Sequence, residues 1–373
     1  MKRILLSWSS GKDSAWALHL LRRQARYEIA GLLTTFNETF DRVAMHAVRR
    51  QLVERQAAAA GIPLRAVGLP WPCSNEQYEQ IMADVCSRAV AEGIEGVAFG
   101  DLFLQDVRDY REKQLRGTGL EPIFPVWGLP TGALAREMIA SGLKAKLTCV
   151  DTTKLDASFA GREFDEALLA DLPADADPCG ERGEFHSFVY AGPMLDRPLS
   201  VAVGEMLLRD GFAFADVLSI ELIETLREIL AREGPRRDQA QRVAEAIRSS
   251  GPYRWVGLYD VDGERGFVSN IAWSGPSAPA YPSFAVTQGL TSRAIAGKMT
   301  VNVGNVSDDA DYLTALGTTQ SEIIVPVLDS WGEIVIGTID VESERRHAFD
   351  RFARQSLEAC AAELRPWWMH HRT

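Results

Sequence analysis

Apolar positions along the first hundred residues switch between short unbroken runs and spaced stripes. Ile4-Leu5-Leu6 is a run of strand length, and Ala15-Trp16-Ala17-Leu18-His19-Leu20-Leu21 behind it reads as a helix. Ile29 to Leu33 predicts a second strand that ends at Thr34-Thr35, Phe40 to Ala60 a helix closed by Gly61, and Leu64 to Val67 a third strand. Ser74-Asn75-Glu76-Gln77 has the spacing of a capping box and opens a helix toward Glu92, after which Gly96 to Phe99 is a short buried strand ending at Gly100-Asp101. Strands alternating with helices predict an α/β domain built on a doubly wound, mostly parallel sheet. Ligands of such sheets bind beyond the carboxyl ends of the strands, so the loop after the first strand, Thr34-Thr35 and Gly100-Asp101 converge on one crevice.

Past Ala213 the pattern changes. Leu218 to Ile229 mixes acidic and apolar residues, and Arg232-Glu233-Gly234-Pro235-Arg236-Arg237 reads as a hydrophilic break. This predicts a first domain over 1–225, a linker over 226–236 and a second domain over 237–373. In the second, a helix from Gln239 to Ser249 precedes a strand pair, Trp255 to Val261 and Phe267 to Trp273, joined through Asp262-Gly263. Strands Glu322 to Leu328 and Glu333 to Val341 follow, and a helix from Phe349 to Leu364 closes an α+β domain.

Bulk properties narrow the functional classes. A chain of 373 residues with 46% hydrophobic content can bury the cores of two or three domains. Lys2-Arg3 is followed by too few apolar residues for a signal peptide, and no stretch reaches the length of a membrane span, so cytoplasmic residence is the expectation. Five scattered cysteines without a C-x-x-C pair and six histidines without H-E-x-x-H suggest neither zinc nor a disulfide framework. The net charge of -11 argues against a broad nucleic-acid footprint.

The candidate chemistry starts at Ser9-Ser10-Gly11-Lys12-Asp13-Ser14, between the first strand and the first helix. Free N–H groups at a helix N-terminus and three hydroxyls favour a bound phosphate. Leu6 and Asp13 both break the Walker A pattern, and a single glycine breaks G-x-G-x-x-G. A carboxylate about 4 Å from a phosphate oxygen would cost roughly 4 kcal/mol at an effective dielectric near 20 unless a cation lies between them, so Asp13 implies Mg²⁺. Asp101, behind Gly100 at a strand's carboxyl end, either serves metal or nucleophile or merely caps a turn. Arg108, Arg111 and Arg116 are spaced to face phosphates, or else to pair with Asp109 and Glu112 on a solvated face. Cys179-Gly180-Glu181-Arg182-Gly183-Glu184-Phe185-His186-Ser187, behind the Pro- and Asp-rich segment 173–178, reads as a substrate loop running into a strand from Phe185 to Tyr190.

The first loop resembles the PP-loop, S-G-G-x-D-S, of the adenine nucleotide alpha hydrolase superfamily, with Ser10 in place of the first glycine. Together with Gly100-Asp101-Leu102, Phe124-Pro125-Val126-Trp127, Asp156 to Gly161 and the loop at Cys179, residues 1–225 resemble the diphthine-ammonia ligase family of N-type ATP pyrophosphatases. That resemblance implies adenylylation of a carboxylate, release of pyrophosphate, and displacement of AMP by ammonia. It implies that Ser9, Ser10, Gly11, Lys12, Asp13 and Ser14 hold the phosphates of ATP with Mg²⁺ on Asp13, and that Thr34, Thr35 and Gly100 belong to the ATP site. It places Asp101 at the reaction centre and Glu181 and Glu184 toward substrate or ammonia. The family signature E-G-G-E-[YF]-E-[ST] is altered here, Arg182 replacing a glycine and His186 an acid, so the expected acceptor is a different carboxylate on a small molecule or a protein. His186 either shuttles a proton or packs on its strand.

Residues 237–373 resemble a GAF domain, in particular free methionine sulfoxide reductases, through Ser321-Glu322-Ile323-Ile324-Val325-Pro326-Val327 and Gly337-Thr338-Ile339-Asp340-Val341-Glu342-Ser343. Ala315 stands about where a nucleophilic cysteine is needed, and no cysteine lies between Cys179 and Cys360, so no reductase activity is expected. Glu322 and Asp340 are left as polar groups of a small-molecule pocket, or the domain is a rigidifying or dimerising module, with a homodimer the candidate assembly. Two readings of the whole follow. One is an ATP-dependent, AMP-forming amide ligase; the other is a nucleotide-binding regulator that uses the GAF pocket for a second ligand.

Overall fold

A computed structural model describes residues 1–43, 48–313 and 317–371, with the side chain of Phe352 outside the description. The chain forms two compact units, Met1–Ser219 and Ile220–Thr373.

The first unit contains two sheets. One runs through β1 (Lys2–Ser7), β2 (Tyr27–Asn37), β3 (Arg42–Val43), β4 (Leu64–Leu69), β5 (Gly96–Ala98) and β6 (Glu121–Ile123). Its parallel strands lie in the order β4-β2-β1-β5-β6, and β3 adds a short antiparallel pair to β2. Ile4 and Leu6 of β1 join one core cluster and Leu5 another on the opposite face, all within 1% of full burial, which is why the strand reads as an unbroken apolar run. Helices α1 (Lys12–Arg22), α2 (Arg50–Ala59), α3 (Asn75–Ala91) and α4 (Gln105–Leu115) connect these strands, and Ser74 with Gln77 makes both bonds of the expected capping box. The chain winds from β1 outward through β2 to β4, then crosses back to β5 and β6, so the order reverses between β1 and β5.

The helix expected over 40–60 is shorter. Asn37 Oδ1 accepts the N–H groups of Thr39 and Phe40, and Asp41 stands at φ 49°, so the chain turns into β3 before the helix starts at Arg50. Residues 44–47 of that expectation lie outside the described residues.

After α5 (Thr131–Ala140) comes an antiparallel sheet that the sequence showed only at one strand. It is made of β7 (Lys144–Asp151), β8 (Phe185–Ala191), β9 (Val201–Arg209) and β10 (Phe212–Ser219), ordered β8-β7-β10-β9, with the short α6 (Glu166–Asp171) between β7 and β8. One apolar cluster runs from α1 and α2 through α5 to Phe185, Phe188 and Val189, tying the two sheets into a single core.

The second unit begins earlier than expected. Residues 221–231, placed at a domain end and linker, form α7 (Glu221–Ala231), whose Leu226 is fully buried in the second core, so the strongly amphipathic pattern there is a packed helix. With α8 (Arg236–Ser249) and α10 (Arg351–His370) it covers one face of an antiparallel sheet. The strands are β11 (Trp255–Asp262), β12 (Phe267–Ser274), β13 (Ser283–Ala285), β14 (Val301–Val303), β15 (Ser321–Leu328) and β16 (Val335–Ser343), ordered β13-β12-β11-β16-β15-β14, with α9 (Gly289–Gly297) between β13 and β14. This is the α+β architecture expected. No helix among the described residues is long and apolar enough to cross a membrane.

Candidate functional site

Between Ser7 and Lys12 the chain turns at the point where the parallel sheet reverses its order. Ser10 makes the turn at φ 68°, in the left-handed region where glycine is the low-cost residue, and its buried hydroxyl has no hydrogen-bond partner. Two remote groups hold its carbonyl: the Val189 N–H donates at 3.0 Å and Gln56 Nε2 at 3.1 Å. Gln56 also donates to the Val189 carbonyl and accepts Trp8 Nε1, both at 2.6 Å, so its amide links the loop, α2 and β8. Gly11 caps α1 without a side-chain bond. Its N–H donates to Ser9 Oγ at 3.3 Å, and the Lys12 N–H to Ser187 Oγ at 3.2 Å. Ser9 and Ser14 hydroxyls lie 3.1 Å apart, and Ser14 Oγ donates to the Gly11 carbonyl.

Lys12 departs from a phosphate-facing lysine. Its side chain is 2% exposed, its ammonium donates to Asp13 Oδ2 at 2.8 Å and to the Cys179 carbonyl, and the rings of Phe164 and Phe185 flank it at 5.7 and 5.2 Å. Burial pushes this ammonium down, and Asp13, with Cys179 and Glu181, more than offsets it. Burial raises the Asp13 carboxyl against the opposing pull of Lys12.

A cavity of about 200 Å³ is lined by Ser9, Gly11, Lys12, Asp13, Ser14, Gly100, Asp101, Glu181 and His186. A larger one of about 380 Å³ takes in Thr34, Thr35, Tyr78, Met82 and Tyr110, and both share Ser7, Ser9, Phe99 and Arg111. The sequence-derived residues therefore divide between a polar and a mostly apolar neighbouring space. Ser10 lines neither, acting through its backbone. Gly100 is there for proximity: a Cβ would come within 2.8 Å of the Asp13 carbonyl carbon and the Ser14 nitrogen, so only glycine lets the end of β5 lie against the first turn of α1.

Asp101 is paired with Arg111 at 3.5 Å, and burial raises its carboxyl against that partner. Of Arg108, Arg111 and Arg116, it is Arg111 that lines both cavities. Arg108 pairs with Glu112 at 2.8 Å and stacks on Phe124 and Trp127, while Arg116 is exposed past the helix end. Glu181 accepts the N–H groups of Leu102 at 2.7 Å and Phe103 at 3.4 Å, and burial pushes its carboxyl up to about 7. Glu184 does not line the cavity. It is 2% exposed, and its Oε1 accepts the Asp177 N–H, so it braces its own loop. Burial, with Lys12 nearby, lowers His186 to about 4, leaving a neutral imidazole at the wall.

Three residues given no role of their own in the sequence hold this arrangement. Asp177 accepts the N–H groups of Cys179 and Glu181 at 2.9 and 3.2 Å and the Thr131 hydroxyl at 2.7 Å. Gln56 and Ser187 anchor the first loop. Gln56 carried a signal, as the lone amide on the buried stripe Leu52, Val53, Gln56, Ala57; Asp177 and Ser187 carried none apart from their neighbours.

Asp13 Oδ1 and Asp101 Oδ2 are both buried and accept no hydrogen bond within normal length, though Asp101 Oδ2 is the oxygen that faces Arg111 Nε at 3.5 Å. Two such oxygens on one cavity fit a hard divalent cation that takes its remaining ligands from phosphate and water. No cluster of three or more His, Cys, Asp or Glu among the described residues suits a metal held by protein alone. In the second unit, Glu322 and Asp340 line a small cavity with Glu342, Trp255, Tyr259 and Phe284, and Asp340 Oδ1 is buried without a hydrogen-bond partner. Ala315 lies outside the described residues.

A parallel sheet with a serine-rich loop at its switch point, opening on two joined cavities, defines a PP-loop ATP pyrophosphatase type of domain. Residues 1–122 match the diphthamide synthase N-terminal domain and residues 131–221 its C-terminal domain, and this part of the chain belongs to the diphthamide synthase family. A diphthine–ammonia ligase of Homo sapiens is 26% identical over 157 residues, covering 41% of this chain and 59% of that protein. One from Mus musculus is 27% identical over 183 residues, covering 48% and 67%. The match thus spans somewhat over half the length of the human relative. Among solved structures, free methionine-R-sulfoxide reductase from Neisseria meningitidis is 27% identical, covering 41% of this chain and 89% of that one with a TM-score of 0.37. The type II enzyme of Thermoplasma acidophilum is also 27% identical, covering 39% and 96% with a TM-score of 0.34.

Proposed function

We propose that the first unit is an ATP-dependent amide ligase that activates a carboxylate as its adenylate and transfers ammonia to it. The supporting observation is the polar cavity joined to a larger, mostly apolar one, with the loop of residues 9–14 and Asp101 on the first and Thr34-Thr35 on the second. The larger space suits adenosine and the smaller the triphosphate. The acceptor's carboxylate oxygen attacks the α-phosphorus, the bond to the β-phosphate oxygen breaks, and pyrophosphate leaves. Ammonia then forms the C–N bond as the bond from carbon to AMP breaks. Asp13 and Asp101 would hold Mg²⁺, which when bound offsets charge on the departing pyrophosphate. Arg111, on both cavities, steadies the phosphate chain between them. Glu181, half ionised near neutral pH, takes the proton that the attacking nitrogen loses. The neutral His186 and the exposed Arg182 replace an acid and a glycine of the family pattern at the acceptor side, which points to a carboxylic acid other than diphthine. The Glu322–Asp340 cavity, of about 30 Å³, would have to open to take a small-molecule ligand and make the second unit a sensor.

Incubation with ATP, Mg²⁺, ammonium and a panel of carboxylic acids tests the reading. The expected products are AMP and pyrophosphate in equal amounts, with loss of at least about a hundredfold in Asp13→Ala. ADP and phosphate as the products would reject it.

A further inference from the structure

Strand β9 is the outer strand of its sheet and is paired, among the described residues, with β10 alone. Its last five residues, 205–209, are all exposed, Met206, Leu207 and Leu208 by 47, 52 and 70%. A register shift puts a bulge in β9 at Gly204-Glu205, and beyond it three successive exposed apolar residues, Met206 to Leu208, with no proline or lysine among them, leave a short stretch of this edge open to strand pairing. The backbone says which groups are open. Asp210 and Gly211, at φ 51° and 81°, form the two-residue turn into β10, and such a turn is closed by a hydrogen-bonded pair, here Arg209 with Phe212. By alternation Leu207, opposite Phe214, is also bonded to β10, whereas the N–H and C=O of Met206 and Leu208 point away from it.

We propose that this edge is a homodimer interface in which β9 pairs antiparallel with β9 of a second copy, Leu207 lying on the two-fold axis. The open groups of Met206 and Leu208 must supply the new ladder, which leaves three symmetric registers. Centring on Met206 sets Glu205 against Leu207, and centring on Leu208 sets Glu205 past the turn, against Gly211. Centring on Leu207 sets Met206 against Leu208 in hydrogen-bonded pairs and brings Glu205, at the edge of the bulge, beside Arg209 of the other copy, twice. Charge complementarity therefore selects the last. The existing partner of Arg209 is Asp210, 80% exposed, a pair of the kind worth little in water and readily exchanged. The two four-stranded sheets become one of eight strands, and the apolar run is covered.

Light scattering of the full chain at graded concentrations tests this, with Leu207→Cys as a cross-linking probe. The expected result is a dimer, weakened at least tenfold in Kd by Glu205→Arg or Arg209→Glu alone and restored by the two together. Oxidised Leu207→Cys should give a covalent dimer without loss of thermal stability, since all of these positions are exposed. A wild-type chain that stays monomeric, or a dimer indifferent to both charge reversals and not trapped by Leu207→Cys, would overturn the proposal.

Discussion

Single residues at this site are explained by what buries them. Lys12 illustrates this: a lysine in an anion-binding loop invites a direct phosphate contact, yet its ammonium is enclosed by two rings and fixed on Asp13. The ion pair engages one Asp13 oxygen, which is how an acid is tolerated in this buried loop, and leaves the other without a hydrogen bond. Glu181 is the group whose protonation falls in the working range. Its raised carboxyl predicts that turnover climbs as pH rises through about 7, where the proton-accepting form accumulates. Glu181→Gln should remove that limb and lower kcat by about 10²-fold or more, with KM for ATP little changed, as a pH–rate profile of both forms will show. A variant that retains the wild-type profile would assign the limb to another group.

Elements are placed by close approach as much as by apolar patterning. Gly100 lets the end of β5 meet the first turn of α1, and an alanine there would press on backbone that cannot rotate away. Gly100→Ala should therefore displace the loop, weakening ATP binding in calorimetric titration and costing about 1–3 kcal/mol of stability. The parallel sheet was legible because β1, β2, β4 and β5 are buried on both faces or bounded by clear turns, and so was the capping box of α3. The antiparallel sheet was not, because β9 ends in exposed apolar residues that follow no period, and β7 carries no motif. Helix α7 was divided between the first domain and the linker because its acidic residues masked a buried stripe around Leu226. At the site, Asp13, Gly100, Asp101 and Glu181 could be named from motif and position. Asp177 and Ser187 could not, since their importance lies in backbone groups brought to them by the fold.

On the scale of the molecule, each unit keeps buried acids in its interior, and their cost depends on pH. In the second unit burial raises Asp340 to about 7, and Glu322 is held high by burial and by the acids around it. A carboxyl raised in the folded state holds its proton where the unfolded chain has released it, so the Asp340 contribution to stability falls as pH rises from about 4 to about 7 and is level above that. The unfolding transition should accordingly weaken between pH 5 and 8 by an amount on the order of 2 kcal/mol, and Asp340→Asn should flatten the dependence, as calorimetric scans across that range will show. Ser10 has a different consequence. Its strained turn is gripped by an amide from α2 and an N–H from β8, which belong to the two separately matched stretches of the family. A fragment cut off before residue 131 would retain every serine of the loop and Gln56, yet lack the Val189 half of the clasp that shapes it. The two matched stretches thus meet as one structural unit around the loop.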